Sequence, residues 1–167
     1  SAEAGGEDVK DGMIVGLGTG STAELAVKKI GELVRNGLSI RGIPTSEATK
    51  ILAESEEIPL IDFSETMFID LTIDGADEID ANLNMIKGGG AALLREKIVA
   101  SASREEILLV SGSKLVQQLG AFPLPVEVIT FGWQVVFNQL ESLQGNPELR
   151  LKQGQPSVTD QGIFIVD

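Results

Sequence analysis

The residues with the clearest potential for proton transfer are the four acids between Asp74 and Asp80, which follow the apolar segment 69–73. Asp74 and Asp77 lie three residues apart in a loop that begins where a strand is predicted to end. Carboxylates so placed can accept hydrogen bonds from hydroxyl groups or transfer protons, and crowding of like charges raises the pKa of at least one of them. A solvated acidic turn explains the same pattern. An EF-hand does not, because the glycine and the closing glutamate are misplaced.

A second group of residues is suited to binding an anion. Segment 16–22 reads Gly-Leu-Gly-Thr-Gly-Ser-Thr and connects a predicted strand to a predicted helix. Such a turn exposes backbone N–H groups at the helix N-terminus, where the helix dipole adds positive potential, and Ser21 and Thr22 add hydroxyl donors. A dinucleotide-binding motif requires glycine where Ser21 stands, and a Walker loop requires a lysine that is absent. The segment therefore predicts a site for one phosphate group, with a capped tight turn as the alternative.

The third and fourth groups contain a lysine beside glycines or hydroxyl groups. Lys87 precedes three consecutive glycines, whose entropic cost indicates close approach of the backbone to another group. Glu96 follows about one and a half turns into a predicted helix, where it either points back toward the loops or belongs to a solvated charged stripe. Segment 111–114, Ser-Gly-Ser-Lys, offers hydroxyl groups and the Lys114 cation, or it caps a helix and carries a surface lysine.

The composition restricts the chemistry that is open to these groups. The 167 residues include no histidine and no cysteine, which excludes a Ser-His-Asp triad and a thiolate zinc site, although an oxygen-only magnesium site stays open. Acidic residues outnumber basic ones 25 to 13, and the net charge of -12 argues against a nucleic-acid partner. No apolar run approaches the ~20 residues of a membrane span. Residues 1–10 lack a signal-peptide core, so we expect a cytoplasmic protein without membrane partners.

Hydrophobic patterning predicts strands that alternate with helices. Predicted strands cover residues 13–17, 38–43, 58–61, 69–73 and 106–110, and predicted helices cover 23–34, 47–55 and 91–101. This order predicts an α/β fold of the Rossmann-like type, with a mostly parallel sheet and helices on both faces. Ligands of such folds bind beyond the carboxyl ends of the strands, where segments 18–22, 74–90 and 111–114 are all expected to lie.

The pattern changes after residues 123–125, Pro-Leu-Pro. Strands are predicted at 126–129, 149–152 and 163–166, a helix at 133–143 and a hairpin turn at 160–162. We therefore predict a Rossmann-like catalytic domain at residues 1–122 and the start of a small α+β lid domain at residues 123–167. The second domain is expected to be incomplete at its C-terminus.

Five motifs, taken together, resemble the ribose-5-phosphate isomerase A family in order and spacing from about Gly12 onward. They are Gly-Leu-Gly-Thr-Gly-Ser-Thr-Ala, Thr-Ser-Glu-Ala-Thr, Asp-Gly-Ala-Asp-Glu-Ile, Lys-Gly-Gly-Gly-Ala-Ala-Leu-Leu-Arg-Glu-Lys and Phe-Pro-Leu-Pro-Val-Glu-Val. The resemblance implies an aldose–ketose isomerase that interconverts ribose 5-phosphate and ribulose 5-phosphate through an enediolate. It also implies no metal, no organic cofactor and a homodimer or homotetramer, in the cytoplasm or, in a photosynthetic eukaryote, in the plastid stroma.

The resemblance implies roles for individual residues as well. Glu96 matches the catalytic base, Asp77 an acid that helps to open the sugar ring, Asp74 a residue that positions sugar hydroxyls, and Lys87 a cation near the enediolate oxygen. The further substrate contacts that it implies are Thr19, Gly20, Ser21, Thr22, Gly75, Ala76, Gly88, Gly89, Gly90 and Lys114.

Two departures from the family pattern and three alternatives remain. The family has a helix before the phosphate loop, whereas residues 1–6 are poor helix formers, and its chain continues past the segment that matches 163–167. The main alternative is a sugar-phosphate sensor domain without catalysis, which normally follows a DNA-binding helix-turn-helix for which the segment before Gly12 is too short. A coenzyme A transferase with a glutamate nucleophile and an amino-sugar phosphate isomerase are the others, and the latter is expected to need a histidine.

Overall fold

The computed structural model describes residues 8–167, and its first part alternates strands with helices. In chain order this part contains β1 (Ile14–Leu17), α1 (Ser21–Arg35), β2 (Arg41–Pro44), α2 (Glu47–Ser55), β3 (Ile69–Asp74), the hairpin strands β4 (Glu78–Ile79) and β5 (Met85–Ile86), α3 (Leu93–Ser101), β6 (Ser103–Leu108) and a 3-10 helix (Gly112–Lys114). The prediction for residues 1–6 lies outside the described residues.

The central sheet contains four parallel strands in the order β2-β1-β3-β6. The chain adds β2 on one side of β1 and then returns to add β3 on the other side. Loops that follow two such strands diverge and leave a crevice at the carboxyl end of the sheet. The hydrogen bond from Gly18 N to Ile73 O, 2.9 Å long, holds the loop after β1 beside the end of β3.

Helices cover both faces of this sheet, which confirms the predicted fold class. On one face, Ile30 of α1 and Ala53 of α2 pack in the same cluster as Leu17 and Leu71. On the other face, Val99 of α3 packs with three isoleucines of the sheet. Helix α2 begins with a side-chain cap, because Ser46 Oγ accepts a hydrogen bond of 3.0 Å from the N–H of Thr49.

The second part of the chain contains β7 (Val126–Val128), α4 (Trp133–Ser142), β8 (Leu151–Lys152), β9 (Gln155–Pro156) and β10 (Phe164–Val166). Strands β7 and β10 pair in antiparallel orientation, and β8 and β9 form a hairpin. The predicted turn at 160–162 is confirmed by the hydrogen bond of 2.9 Å from Gly162 N to Thr159 O. The division into two domains at residue 123 stays a prediction. No helix of residues 8–167 is long and apolar enough to cross a membrane.

Some predicted strands are wrong or displaced. Segment 58–61 makes only an isolated bridge between Leu60 and Gly42, since Pro59 has no N–H to donate. Strand β6 begins three residues before the predicted 106–110 segment. Hydrophobic patterning missed its polar first half, which is accommodated because β6 lies at an edge of the described sheet. Helix α3 begins two residues after Ala91, which has a φ of 62° and cannot continue a right-handed helix.

Candidate active site

A small polar pocket lies at the carboxyl ends of β1 and β3. Its lining consists of Thr19, Gly20, Ser21, Thr22, Ala23, Gly75, Ala76, Asp77, Lys87, Gly88, Gly90, Glu96 and Lys114. Asp74 and Gly89 lie directly behind this lining, where they bind Lys87 and Asp77. The structure thus brings every predicted site residue to one place. Two larger cavities of the described chain are lined mainly by apolar side chains and contain none of these residues.

One lysine and two carboxylates form the buried end of the pocket. Lys87 Nζ lies 3.0 Å from Asp74 Oδ2 and 3.1 Å from Glu96 Oε2, and the two acidic side chains are only 1% and 4% exposed. Lys87 donates hydrogen bonds to Asp74 and to the carbonyl of Gly75. Glu96 Oε2 is within ion-pair distance of the lysine, but it receives no well-aligned hydrogen bond from residues 8–167. Its lone pairs are therefore available to accept a proton.

The surroundings of Glu96 bring its pKa close to neutral pH. Burial has the largest effect and raises the pKa of Glu96, and the negative charge of Asp74 raises it as well. The Lys87 ammonium partly opposes both effects, and the resulting pKa is about 7. Burial by itself would lower the pKa of Lys87, but the charges of Asp74 and Glu96 outweigh it and hold that pKa above its ordinary value. Near pH 7 Glu96 can therefore gain and lose a proton, while Lys87 stays charged.

The four acids between Asp74 and Asp80 lie in two kinds of surroundings. Asp74 and Asp77 face the site, and Asp77 Oδ2 accepts a hydrogen bond of 2.8 Å from Gly89 N. Glu78 instead accepts hydrogen bonds from the backbone of segment 120–122. Asp80 accepts them from the turn of its own hairpin. Among residues 8–167, no group of three or more acids is arranged to hold a metal ion.

The other end of the pocket is the N-terminus of α1. Gly20 precedes this 15-residue helix without a side-chain cap, so the N–H groups of Ser21, Thr22 and Ala23 have no carbonyl partner within the helix. These donors and the helix dipole favour an anion at this point. The loop reaches its position because residue 18 is glycine. A Cβ there would lie 2.3 Å from Asp74 Oδ1.

Behind this loop, Thr19 contacts a cluster of hydroxyl groups that was not predicted as part of the site. Thr19 Oγ1 lies 2.7 Å from Thr45 Oγ1 and 2.9 Å from Ser46 Oγ, and it lies 3.2 Å from Thr49 Oγ1. Thr45 and Thr49 in turn donate to backbone carbonyls of β1 and of the following loop. The Thr19 side chain therefore anchors the loop from inside the fold. The motif Thr-Ser-Glu-Ala-Thr contains Thr45, Ser46 and Thr49 and contributes to the family resemblance, but it assigned them no role in the site.

Residues of the second part of the chain contact the elements that carry the site. Glu127 Oε1 accepts a hydrogen bond of 2.8 Å from Leu94 N, at the start of the helix that bears Glu96. Asp160 Oδ2 accepts one of 2.8 Å from Glu47 N, at the start of α2. Arg150 contacts Gly88 and Gly89, the first two of the three glycines at 88–90, which we call the glycine loop. No pattern in a single sequence links such distant residues, and sequence reasoning missed them.

Comparison with known proteins bears on the family and the fold of this chain. The sequence profile of ribose 5-phosphate isomerase A (phosphoriboisomerase A) matches residues 41–167. A ribose-5-phosphate isomerase A from Bacillus mycoides (strain KBAB4) is 52% identical over 159 residues, which are 95% of this chain and 72% of that protein. The chain belongs to the ribose 5-phosphate isomerase A family. A second member, from Listeria monocytogenes serovar 1/2a, is 53% identical over 162 residues, or 96% of this chain and 72% of its own.

Solved structures of ribose 5-phosphate isomerases share the fold along the whole chain. The enzyme from Methanocaldococcus jannaschii superposes with a TM-score of 0.96 at 43% identity, over 99% of this chain and 76% of that one. A D-ribose-5-phosphate isomerase in complex with phospho-erythronic acid superposes with a TM-score of 0.94 at 39% identity, with the same coverage. The fold of the described residues is thus that of the isomerase family.

Proposed function

We propose that this chain interconverts ribose 5-phosphate and ribulose 5-phosphate, with Glu96 as the base that carries the proton between C2 and C1. The observation that supports this most directly is the buried Glu96, whose pKa is raised to about 7, mainly by burial, beside the charged Lys87. A carboxylate of this kind can remove a proton from carbon near neutral pH and return it. Family membership and the complex of a related enzyme with phospho-erythronic acid point to the same substrate class.

The arrangement of the pocket suggests how the substrate is oriented. Its phosphate group binds the free N–H groups at the start of α1, between Ser21 and Lys114. The sugar chain then extends toward Glu96 at the buried end. Asp77 lies along that path and is proposed to exchange protons with the ring oxygen when the sugar opens.

The chemical step transfers one proton between carbons and one between oxygens. The Glu96 carboxylate removes the proton from C2 and gives a cis-enediolate. The Lys87 ammonium stabilises the negative charge on the oxygen, since it remains protonated next to Asp74 and Glu96. Protonated Glu96 then delivers the proton to C1, while the hydroxyl proton moves from O2 to O1. Substrate and product have the same composition, and the carboxylate is restored.

We also propose that the chain forms a homodimer or a homotetramer. Several large apolar side chains of the second part are exposed, among them Ile129 at 71%, Phe131 at 94% and Leu143 at 77%. Exposed apolar groups that cluster in one region favour association. The cytoplasmic location that the sequence suggests stays a prediction.

The direct test compares this chain with its Glu96→Gln variant in an assay of ribulose 5-phosphate formation, with a chelator present. Glutamine keeps the shape of the side chain but cannot accept the proton, so turnover is expected to fall by about 100- to 10,000-fold. Glu54→Gln is the matched control, because Glu54 is exposed on α2 and does not line the pocket. It is expected to leave turnover unchanged.

Binding of ribose 5-phosphate separates the remaining outcomes. We expect Glu96→Gln to bind the sugar phosphate with an affinity close to that of the unaltered chain, because the phosphate contacts lie at the other end of the pocket. Normal turnover by this variant would exclude Glu96 as the base. Binding without turnover in the unaltered chain would favour the sensor alternative, and absence of binding would contradict the phosphate site itself.

A further inference from the structure

We infer that Arg150 is a positioning residue for the isomerisation, because it holds the glycine loop from the side opposite the pocket. This inference rests on the proposed function. Arg150 Nη1 donates hydrogen bonds to the carbonyl oxygens of Gly88 and Gly89, each 3.2 Å long. One guanidinium nitrogen thus bridges two consecutive peptide units of the loop between Lys87 and Glu96.

The Arg150 side chain is itself held in place. Its Nε donates to Asp167 Oδ2 at 2.6 Å, and its Nη2 contacts Asp167 Oδ1, so the pair is bidentate. Asp167 is fixed in turn by two backbone hydrogen bonds with Glu148, each 2.8 Å long. Both side chains of the pair are about four-fifths buried, with exposures of 19% and 21%. A planar guanidinium in a bidentate pair loses little further freedom when it binds the loop.

The contacts of Arg150 affect the pocket because they fix the orientation of the peptide planes in the glycine loop. In a trans peptide the carbonyl of one residue and the N–H of the next point in opposite directions. When Arg150 binds the carbonyls of Gly88 and Gly89, the N–H groups of Gly89 and Gly90 point to the other side. There Gly89 N donates to Asp77 Oδ2 at 2.8 Å, and Gly90 lines the pocket. A cation on the carbonyls also polarises these peptide units and strengthens their N–H donors.

The loop needs such external support. Three consecutive glycines have more conformational freedom than any other tripeptide, so an unsupported loop would sample many shapes. The loop closes with a hydrogen bond of 3.0 Å from Ala91 N to Gly88 O. It then passes through Ala91, whose φ of 62° is unfavourable for a residue with a Cβ. Arg150 supplies two further hydrogen bonds, and their loss is expected to release Asp77 as well as the loop.

The experiment compares Arg150→Met with Lys152→Met, a control that removes a positive charge from an exposed position two residues later. Two quantities are measured: hydrogen exchange at the Gly89 amide by NMR, and kcat and KM for ribose 5-phosphate. In Arg150→Met we expect faster exchange at Gly89 and a kcat lower by about 10- to 100-fold. KM should change little, because the start of α1 is not touched. Lys152→Met should match the unaltered chain in both measurements.

Arg150→Lys is the second variant, and it replaces Arg150→Met in the comparison if Arg150→Met does not fold. A lysine keeps the charge but cannot bridge Asp167 and two carbonyls at once, so its kcat and its Gly89 exchange should fall between those of the other two chains. Unchanged exchange at Gly89 in a folded variant overturns the inference. An unchanged kcat overturns it too, as does a fall in kcat that only follows the unfolded fraction measured by circular dichroism. If the unaltered chain does not isomerise ribose 5-phosphate, the proposed function fails, and exchange at Gly89 alone decides whether Arg150 holds the loop.

Discussion

Glu96, Asp74 and Lys87 bring two negative charges and one positive charge into a space that is almost closed to water. Such a cluster is not neutral, and Glu96 is the member whose pKa rises into the physiological range, to about 7. The carboxylate form is the one that can remove a proton. The fraction of active molecules should therefore depend on the titration of this one side chain.

We predict that kcat/KM rises with pH through a midpoint of about 7 and levels off above it, because this quantity depends on the pKa of Glu96 in the enzyme without substrate. Rates measured between about pH 5 and pH 9 would show the rise, and Lys87 should not titrate there because its pKa lies above the ordinary value for lysine. In Asp74→Asn the midpoint should move to lower pH, since one negative charge that raises the pKa of Glu96 is gone. A midpoint near the ordinary pKa of glutamate in the unaltered chain would contradict this account.

Single residues of the site were predictable where their type is unusual for their position. Runs of glycine and crowded charges lower the stability of a fold, so their presence indicates a role. This reasoning singled out the glycine loop, the acids at 74 and 77 and the lysine at 87. Thr19 was predicted as a substrate contact, but Thr45 and Thr49 were not predicted, because a threonine that anchors a loop cannot be told from a surface threonine in the sequence. Arg150 gave no signal either, since its partners are about 60 residues away, with separations of 62 and 61.

Among the elements around the pocket, the N-terminus of α1 is the proposed site of the substrate phosphate group. We predict that Ser21→Asp keeps or slightly raises thermal stability, because a carboxylate in the first turn interacts favourably with the helix dipole by about 0.3–1 kcal/mol. The same carboxylate should occupy the anion site and repel phosphate, so KM for ribose 5-phosphate should rise at least about tenfold. Melting temperature and KM, measured on one preparation, test both effects.

Ser21→Ala is the control for that change, since it removes the hydroxyl group without adding charge. Its KM should rise much less than that of Ser21→Asp, because the backbone N–H groups remain. Equal effects of the two substitutions would show that the hydroxyl group, rather than the helix N-terminus, is the main phosphate contact.

The elements themselves were predicted best where local rules and packing agree. Helix α2 was predicted with its observed bounds, Glu47–Ser55, because its cap and its apolar spacing point to the same segment. Segment 58–61 is apolar enough for a strand, but its pairing with β2 is reduced to one bridge. The hairpin β4–β5 was predicted as a loop, since two strands of two residues each are too short for a periodic pattern.

Residues 123–167 can unfold together with the central sheet or separately from it. Glu127, Arg150 and Asp160 all bind elements of the first part, which argues for one cooperative unit. The sole tryptophan, Trp133, packs against Phe164 with ring centroids 6.3 Å apart, so its fluorescence reports the second part. We predict that urea unfolding followed by this fluorescence and by far-ultraviolet circular dichroism gives the same midpoint.

Two separate midpoints would show instead that the predicted division near residue 123 is a boundary between independent domains. The Asp160→Asn variant serves as a comparison, because it weakens the contact with Glu47 N and the nearby Arg95. It should shift both midpoints by the same amount if the two parts unfold together.

The contacts from Glu127, Arg150 and Asp160 also affect the order in which the site can form during synthesis. A ribosome releases the chain from its N-terminus, and domains generally fold in that direction. By the time Lys114 has emerged, every residue expected to touch the sugar phosphate is already outside the ribosome. The groups that fasten the glycine loop and the helices α2 and α3 come later, the last of them at Asp160. A growing chain should thus acquire a recognisable phosphate cradle early and a competent catalyst only after Asp160 has emerged.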